Sequence, residues 1–198
     1  MLILGIDHGN KITGYGYINL DLDTREFTYV DHDYIFDSKV SYPVSLNFIY
    51  NRVKQVIRGR VPDVAVVEAP KHNRGFKSSQ KQVELLGSIK QLLIAHNIPF
   101  VEMAPSSMKL LVTGFGHASK EEVARVLSDR FNIPIERLAH IEYYNSGKKE
   151  GQIKSYSWDG TDALGLALSF PAYILRGDKL DYKGVGYKCQ SPKEPLKS

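Results

Sequence analysis

The 198-residue chain reads as an α/β protein, with a mixed five-stranded sheet and helices on both faces. Three observations predict this. Two apolar strands joined by a short turn open the chain, a run of four apolar residues follows a segment of helical spacing, and the last strongly apolar segment has the length and period of a helix.

Leu2 to Ile6 forms a buried strand that ends at Asp7, and Gly14 to Leu20 returns after the turn Gly9-Asn10-Lys11. A third strand over Glu26 to Ile35 completes an antiparallel meander. Leu46, Ile49, Tyr50, Val53, Val56 and Ile57 then recur at helical spacing, and Pro62 introduces Val64 to Val67, a run suited to a parallel strand covered on both faces. It ends at Glu68. A capping box at Ser79 to Gln82 opens the next helix, whose buried face carries Val83, Leu86, Ile89 and Leu93. A brief strand follows around Phe100 and Val101, then a short helix over Pro105 to Leu111. A second capping box, Ser119-Lys120-Glu121-Glu122, starts a helix with Val123, Val126, Leu127 and Phe131 inward. Ile133 to Trp158 is weakly periodic, with an exposed loop at its centre, and Asp159 to Ile174 is the closing helix.

A chain of this length buries one sizeable core, here assigned to a single domain over 1–178. Residues 179–198 are polar, carry Lys183, Lys188, Lys193 and Lys197 against a single acid past Asp181, Glu194, and read as a flexible basic tail. The formal charge is +4, which suits a polyanionic partner. Cys189 is the one cysteine, so an intramolecular disulfide and a cysteine-rich zinc site are excluded. No apolar stretch approaches the length of a membrane span, and the expectation is a soluble, cytoplasmic protein.

The carboxylates carry the chemistry. Burying a carboxylate without a partner is costly, yet two apolar strands end in acids, at Asp7 and Glu68. The last helix adds Asp159 and Asp162, which share a face at i and i+3. Singly, each has a plainer reading: Asp7 a turn residue, Glu68 a strand-end acid, Asp159 a helix N-cap and Asp162 a first-turn acid favoured by the helix dipole. As a group they converge on one end of the sheet. Such acids repel unless a cation neutralises them, and hard Mg²⁺ takes oxygen ligands while keeping sites for water and phosphate. A phosphodiesterase using two metal ions fits that set, with Mg²⁺ or Mn²⁺ as the ion.

The motifs resemble those of RuvC-family Holliday junction resolvases. Leu4-Gly5-Ile6-Asp7-His8-Gly9 with Thr13-Gly14-Tyr15-Gly16 is similar to the family's first motif. Pro99-Phe-Val-Glu-Met-Ala-Pro105, Lys109 and Val112-Thr-Gly-Phe-Gly-His-Ala-Ser-Lys120 follow in the family's order, and Asp159-Gly-Thr-Asp162-Ala-Leu-Gly-Leu-Ala resembles its closing helix. The resemblance implies a ribonuclease H-like fold and a homodimeric crossover junction endodeoxyribonuclease acting on branched DNA. It makes Asp7, Glu68, Asp159 and Asp162 the metal ligands and sets Lys109 and Lys120 near the scissile phosphate. A lysine opening a capped helix is also well placed for phosphate on physical grounds, since the orphan backbone N–H groups add to its charge. In the loop Lys71 to Lys77, Phe76 is the expected base-stacking residue, with Arg74 and Lys77 on phosphates.

Three departures from the family pattern stand out: His8 in place of proline, a longer 133–158 segment and the basic tail. The extra segments suit a phage or mobile-element version. They also raise an alternative, a broader nuclease acting on forks, flaps and three-way junctions. A non-catalytic junction-binding protein is disfavoured because all four acids are present. An actin-like ATPase, which shares the first motif, needs a second lobe for which the chain has no room.

Overall fold

The computed structural model describes residues 1–9, 11–36, 41–70, 76–143 and 146–175. Strands β1 (Leu2–His8), β2 (Ile12–Leu20) and β3 (Phe27–Phe36) form the antiparallel meander, and β4 (Val64–Glu68) and β5 (Phe100–Met103) extend it in parallel. The sheet order is β3-β2-β1-β4-β5. Helices α1 (Val44–Gly59) and α2 (Phe76–Ala95) supply the β4 and β5 crossovers; α3 (Pro105–Thr113), α4 (Lys120–Phe131), α5 (Ile135–Leu138) and α6 (Asp159–Leu175) follow β5. A separate hairpin of β6 (His140–Tyr143) and β7 (Ile153–Ser157) interrupts the last stretch.

Alternation along the strands divides the core between the two faces. Leu4, Ile6, Ala65, Val67 and Phe100 meet Ile49, Val53 and Ile57 of α1 and Leu85, Ile89 and Leu92 of α2. Ile3, Val64, Val66, Val101 and Met103 meet Met108 of α3, Val123 and Leu127 of α4, and Leu164, Ala167 and Leu168 of α6. The same parity sets the site. Asp7 follows Ile3 and Gly5 by steps of two, and Glu68 follows Val64 and Val66, so both acids fall on the α6 face. The parallel register pairs Ile6 with Val67, which leaves Asp7 and Glu68 as neighbours at the strand ends.

Helix α6 lies directly on this face because glycines leave room for it. A Cβ on Gly5 would stand 1.9 Å from the Ala163 carbonyl oxygen, one on Gly14 1.9 Å from that of Asp159, and one on Gly16 2.6 Å from the Leu164 Cα. The spaced glycines of β1 and β2 therefore fix how closely Asp159 and Asp162 approach Asp7.

Two expectations need correction. Helix α2 starts at Phe76, so Ser79 lies within the helix and is not its cap, and Val83 is exposed while Leu85 and Leu92 share the buried stripe with Leu86, Ile89 and Leu93. The 133–158 segment holds α5 and the β6–β7 hairpin around its loop; the half-exposed strands produced little periodicity in hydropathy. The second capping box is present, with Ser119 N donating to Glu122 Oε2 at 2.6 Å and Glu122 N to Ser119 Oγ at 3.1 Å. The expected tail, residues 179–198, lies outside the described residues, as does the domain end at 178.

Candidate active site

Three elements bring the four acids together. Asp7 comes from the end of β1, Glu68 from the end of β4, and Asp159 and Asp162 from the first turn of α6. The Asp162 N–H donates to the Trp158 carbonyl at 2.7 Å, so the helix starts from Trp158, and Asp159 is a first-turn residue and not the N-cap. Asp7 is 8% exposed and Asp162 7%. Burial is the main reason the Asp7 carboxyl is held well above the usual range; a hydrogen bond with Glu68 and the charges of Glu68, Asp162 and Asp159 add to it. Asp162 is also raised, chiefly by burial, with Lys120 opposing and Glu68 and Asp159 reinforcing.

The basic side of the cleft is built from α3, α4 and their connection. Lys120, the first residue of α4, places Nζ 2.5 Å from Asp162 Oδ2. Burial disfavours its charge, but Asp162, Asp159 and Asp7 outweigh that and hold the ammonium above its ordinary value. Lys109 on α3 donates from Nζ to the Ala118 carbonyl at 2.5 Å. A cavity of about 320 Å³ is lined by Glu68, Lys109, His117, Lys120 and Asp162, with Ser106 and Met108 on its wall.

The structure thus unites Glu68, Asp162, Lys109 and Lys120 in one cavity and couples Asp7 and Asp159 electrostatically to the same cluster. Arg74 lies outside the described residues. Phe76 and Lys77 open α2, but their side chains also lie outside them. His8 is buried opposite Thr13 at the end of β1. Two neighbours went unread in the sequence. His117 sits inside the quoted motif and lines the cavity, and Ser157 donates its hydroxyl to Asp159 Oδ2 from two residues upstream. Only proximity in sequence to Lys120 and Asp159 hinted at them.

As they stand, no three His, Cys, Asp or Glu side chains among the described residues are set to hold a metal ion. The reason is visible in their contacts. Asp7 and Glu68 share a hydrogen bond, Asp162 has taken an ammonium group, and Asp159 a hydroxyl. Each of these contacts offsets part of the acids' charge. Asp162 Oδ1, moreover, is buried without a hydrogen-bond partner, a costly state that coordination would relieve. Clustered carboxylates with one unused oxygen fit a hard divalent ion.

A sheet of this order, with acids at the ends of its central strands and on a helix laid across them, places the chain in the ribonuclease H-like fold class. The structure of RuvC from Thermus thermophilus superposes with a TM-score of 0.68 at 21% identity, covering 91% of this chain and 99% of that one. The same protein in complex with a Holliday junction substrate gives 0.67 at 19% identity, covering 89% and 97%. In sequence, residues 3–140 match the family described as crossover junction endodeoxyribonuclease RuvC. The crossover junction endodeoxyribonuclease RuvC of Christiangramia forsetii is 33% identical over 169 residues, 80% of this chain and 87% of that protein. The chain belongs to the RuvC family of crossover junction endodeoxyribonucleases. The family match ends where the β6–β7 hairpin begins, so Asp159 and Asp162 lie beyond it.

Proposed function

We propose that this chain resolves four-way DNA junctions, two copies making paired symmetric nicks by metal-dependent phosphodiester hydrolysis. The observation that carries the reading is the cluster of buried Asp7 and Asp162 with half-buried Glu68, and an unpartnered Asp162 oxygen beside Lys120. Asp7, Glu68, Asp159 and Asp162 are the ligands for two divalent ions, Mg²⁺ in the first instance and Mn²⁺ as a substitute. The chemistry such ions supply is activation of the attacking water and stabilisation of the leaving 3′ oxygen.

The protein's own part is positioning and charge. The β1 and β4 ends hold Asp7 and Glu68 side by side, where both carboxylates would face the ions. Lys120 exchanges Asp162 for the scissile phosphate, where the N-terminus of α4 adds its N–H groups. Lys109 has donors to spare beyond the one on Ala118, because an ammonium carries three. Phe76, with Arg74 and Lys77, is a further candidate contact to DNA. Symmetric cutting requires two-fold placement of two sites, hence a homodimer. Among the described residues no helix is long and apolar enough to cross a membrane, in keeping with action in the cytoplasm.

The test is cleavage of a labelled mobile four-way junction against matched linear duplex, forks and flaps, with Mg²⁺ or EDTA, and with Asp162→Asn alongside. Paired nicks confined to the four-way junction, lost in EDTA and in the variant while binding survives, are expected. Equal cutting of every branched substrate points to the broader nuclease. Binding without cutting by the unaltered chain overturns the catalytic assignment.

A further inference from the structure

We propose that Phe115, backed by His117, is the platform on which an unpaired base beside the scissile phosphate stacks. The inference rests on the nuclease reading above and deepens it by naming what the site recognises. Phe115 is 57% exposed, so core packing does not account for it. Its ring meets His117 edge-on, centroids 5.8 Å apart and planes at 67°. His117 in turn lines the cavity that holds Glu68, Asp162, Lys109 and Lys120. An exposed aromatic ring is thus held against a residue that lines the acid cleft.

The loop that carries it is fixed at both ends. Gly114 takes φ +81° to end α3, and its N–H donates to the Leu110 carbonyl at 2.9 Å. The Thr113 hydroxyl donates to the Lys109 carbonyl at 2.8 Å and accepts from the Phe115 N–H at 3.1 Å. Beyond the ring, Ala118 is buried, its N–H donates to the Phe115 carbonyl at 3.1 Å, and its own carbonyl receives Lys109 Nζ at 2.5 Å. A side chain pre-set in this way loses little conformational freedom on binding. At about 320 Å³ the cavity is at the small end for ligand sites and suits one phosphodiester unit, not a duplex. The strand must leave its partner to enter, which exposes the neighbouring base, and an aromatic face accepts any base because each has a π-surface. Phe115 would thus read whether a base is unpaired, and not which base it is.

The test pairs Phe115→Ala and Phe115→Trp with four-way junctions that are intact or lack the base next to the mapped cut. Affinity is read by fluorescence anisotropy in EDTA, and KM in Mg²⁺. Phe115→Ala is expected to weaken binding and raise KM by about tenfold, within the range for one base–aromatic stack, while Phe115→Trp retains wild-type values. Removing the base should cost the wild type a similar factor and Phe115→Ala nothing more, since both changes delete one contact. An unchanged affinity in Phe115→Ala, or an equal penalty for the missing base in both proteins, overturns the proposal. If the wild-type chain neither cuts nor binds a junction, the nuclease reading falls first and this inference with it; cutting that ignores Phe115 defeats this inference alone.

Discussion

Asp7 and Asp162 are 8% and 7% exposed, whereas the Lys120 side chain, which touches Asp162, is 46% exposed and Phe115 is 57% exposed. The acids sit at the ends of central strands and on a helix pressed against glycines, so their positions follow from the packing of the whole sheet. The basic and aromatic rim is built from a helix start and the six-residue connection 114–119, fixed by local hydrogen bonds. Clustered, buried acids carry an electrostatic cost, while the rim is at ease in water. Changes in the first region should therefore act on chemistry and stability together, and changes in the second on binding, in steps.

Asp7→Asn breaks that comparison most severely. It should lower junction cutting by on the order of 10³-fold or more, the loss of several kcal/mol of transition-state stabilisation at 1.36 kcal/mol per tenfold. It should also stabilise the metal-free fold at neutral pH. Unfolded, Asp7 loses its proton in the ordinary carboxylate range; folded, burial and Glu68 make it hold the proton to higher pH. Between those two values the folded state binds more protons, so metal-free stability falls as pH rises through the window. Melting in EDTA from roughly pH 4 to 8 should show this fall in the wild type and a shallower one in Asp7→Asn. Parallel curves for the two proteins would mean that Asp7 is already charged in the metal-free fold.

Gly14→Ala tests whether packing sets the acid geometry. Its Cβ would meet the Asp159 backbone oxygen at 1.9 Å, which has no side-chain freedom to yield, so α6 must shift. Overpacking of this kind costs roughly 1–3 kcal/mol, which for a protein of this size lowers Tm by several degrees. Cutting should fall with it. Gly87→Ala is the control: it lies in α2, a Cβ there meets nothing within 4 Å, and a gain of about 0.5–1 kcal/mol is expected from helix propensity. Equal melting temperatures for the two variants would remove the glycine argument.

The two regions also differ in how far the sequence discloses them. Apolar runs ending in Asp7 and Glu68, with Asp159 and Asp162 at i and i+3, were enough to point to one sheet end, because strand parity and helix period are local rules. The glycines appeared as part of a motif, but their reason, contact with a helix some 150 residues later, belongs to the tertiary structure. The α2 start was misplaced because Ser79 to Gln82 satisfies a capping pattern inside a helix that had begun at Phe76. The β6–β7 hairpin escaped because a two-stranded element with one exposed face buries too little to imprint a period: Tyr143, Ile153 and Tyr156 are each about half exposed. Ser157 and His117 became legible only through their partners, Asp159 and the cleft.

Lys109→Ala should give the smallest effect and the finest distinction. Lys109 Nζ already braces the Ala118 carbonyl at 2.5 Å, and it faces the cavity beside Glu68. As a phosphate contact it contributes one ion pair to junction binding, so its loss should reduce the slope of log Kd against log salt by about 1 and weaken affinity several-fold at low salt. As a brace alone it would leave the slope unchanged, and the loss would resemble that of Phe115→Ala, since both would act through the same loop. The salt titration separates these: a reduced slope places Lys109 on the DNA backbone, whereas an unaltered slope confines it to shaping the ledge. The double variant decides the remainder, because a brace and the ring it supports should be non-additive, and independent phosphate and base contacts should add.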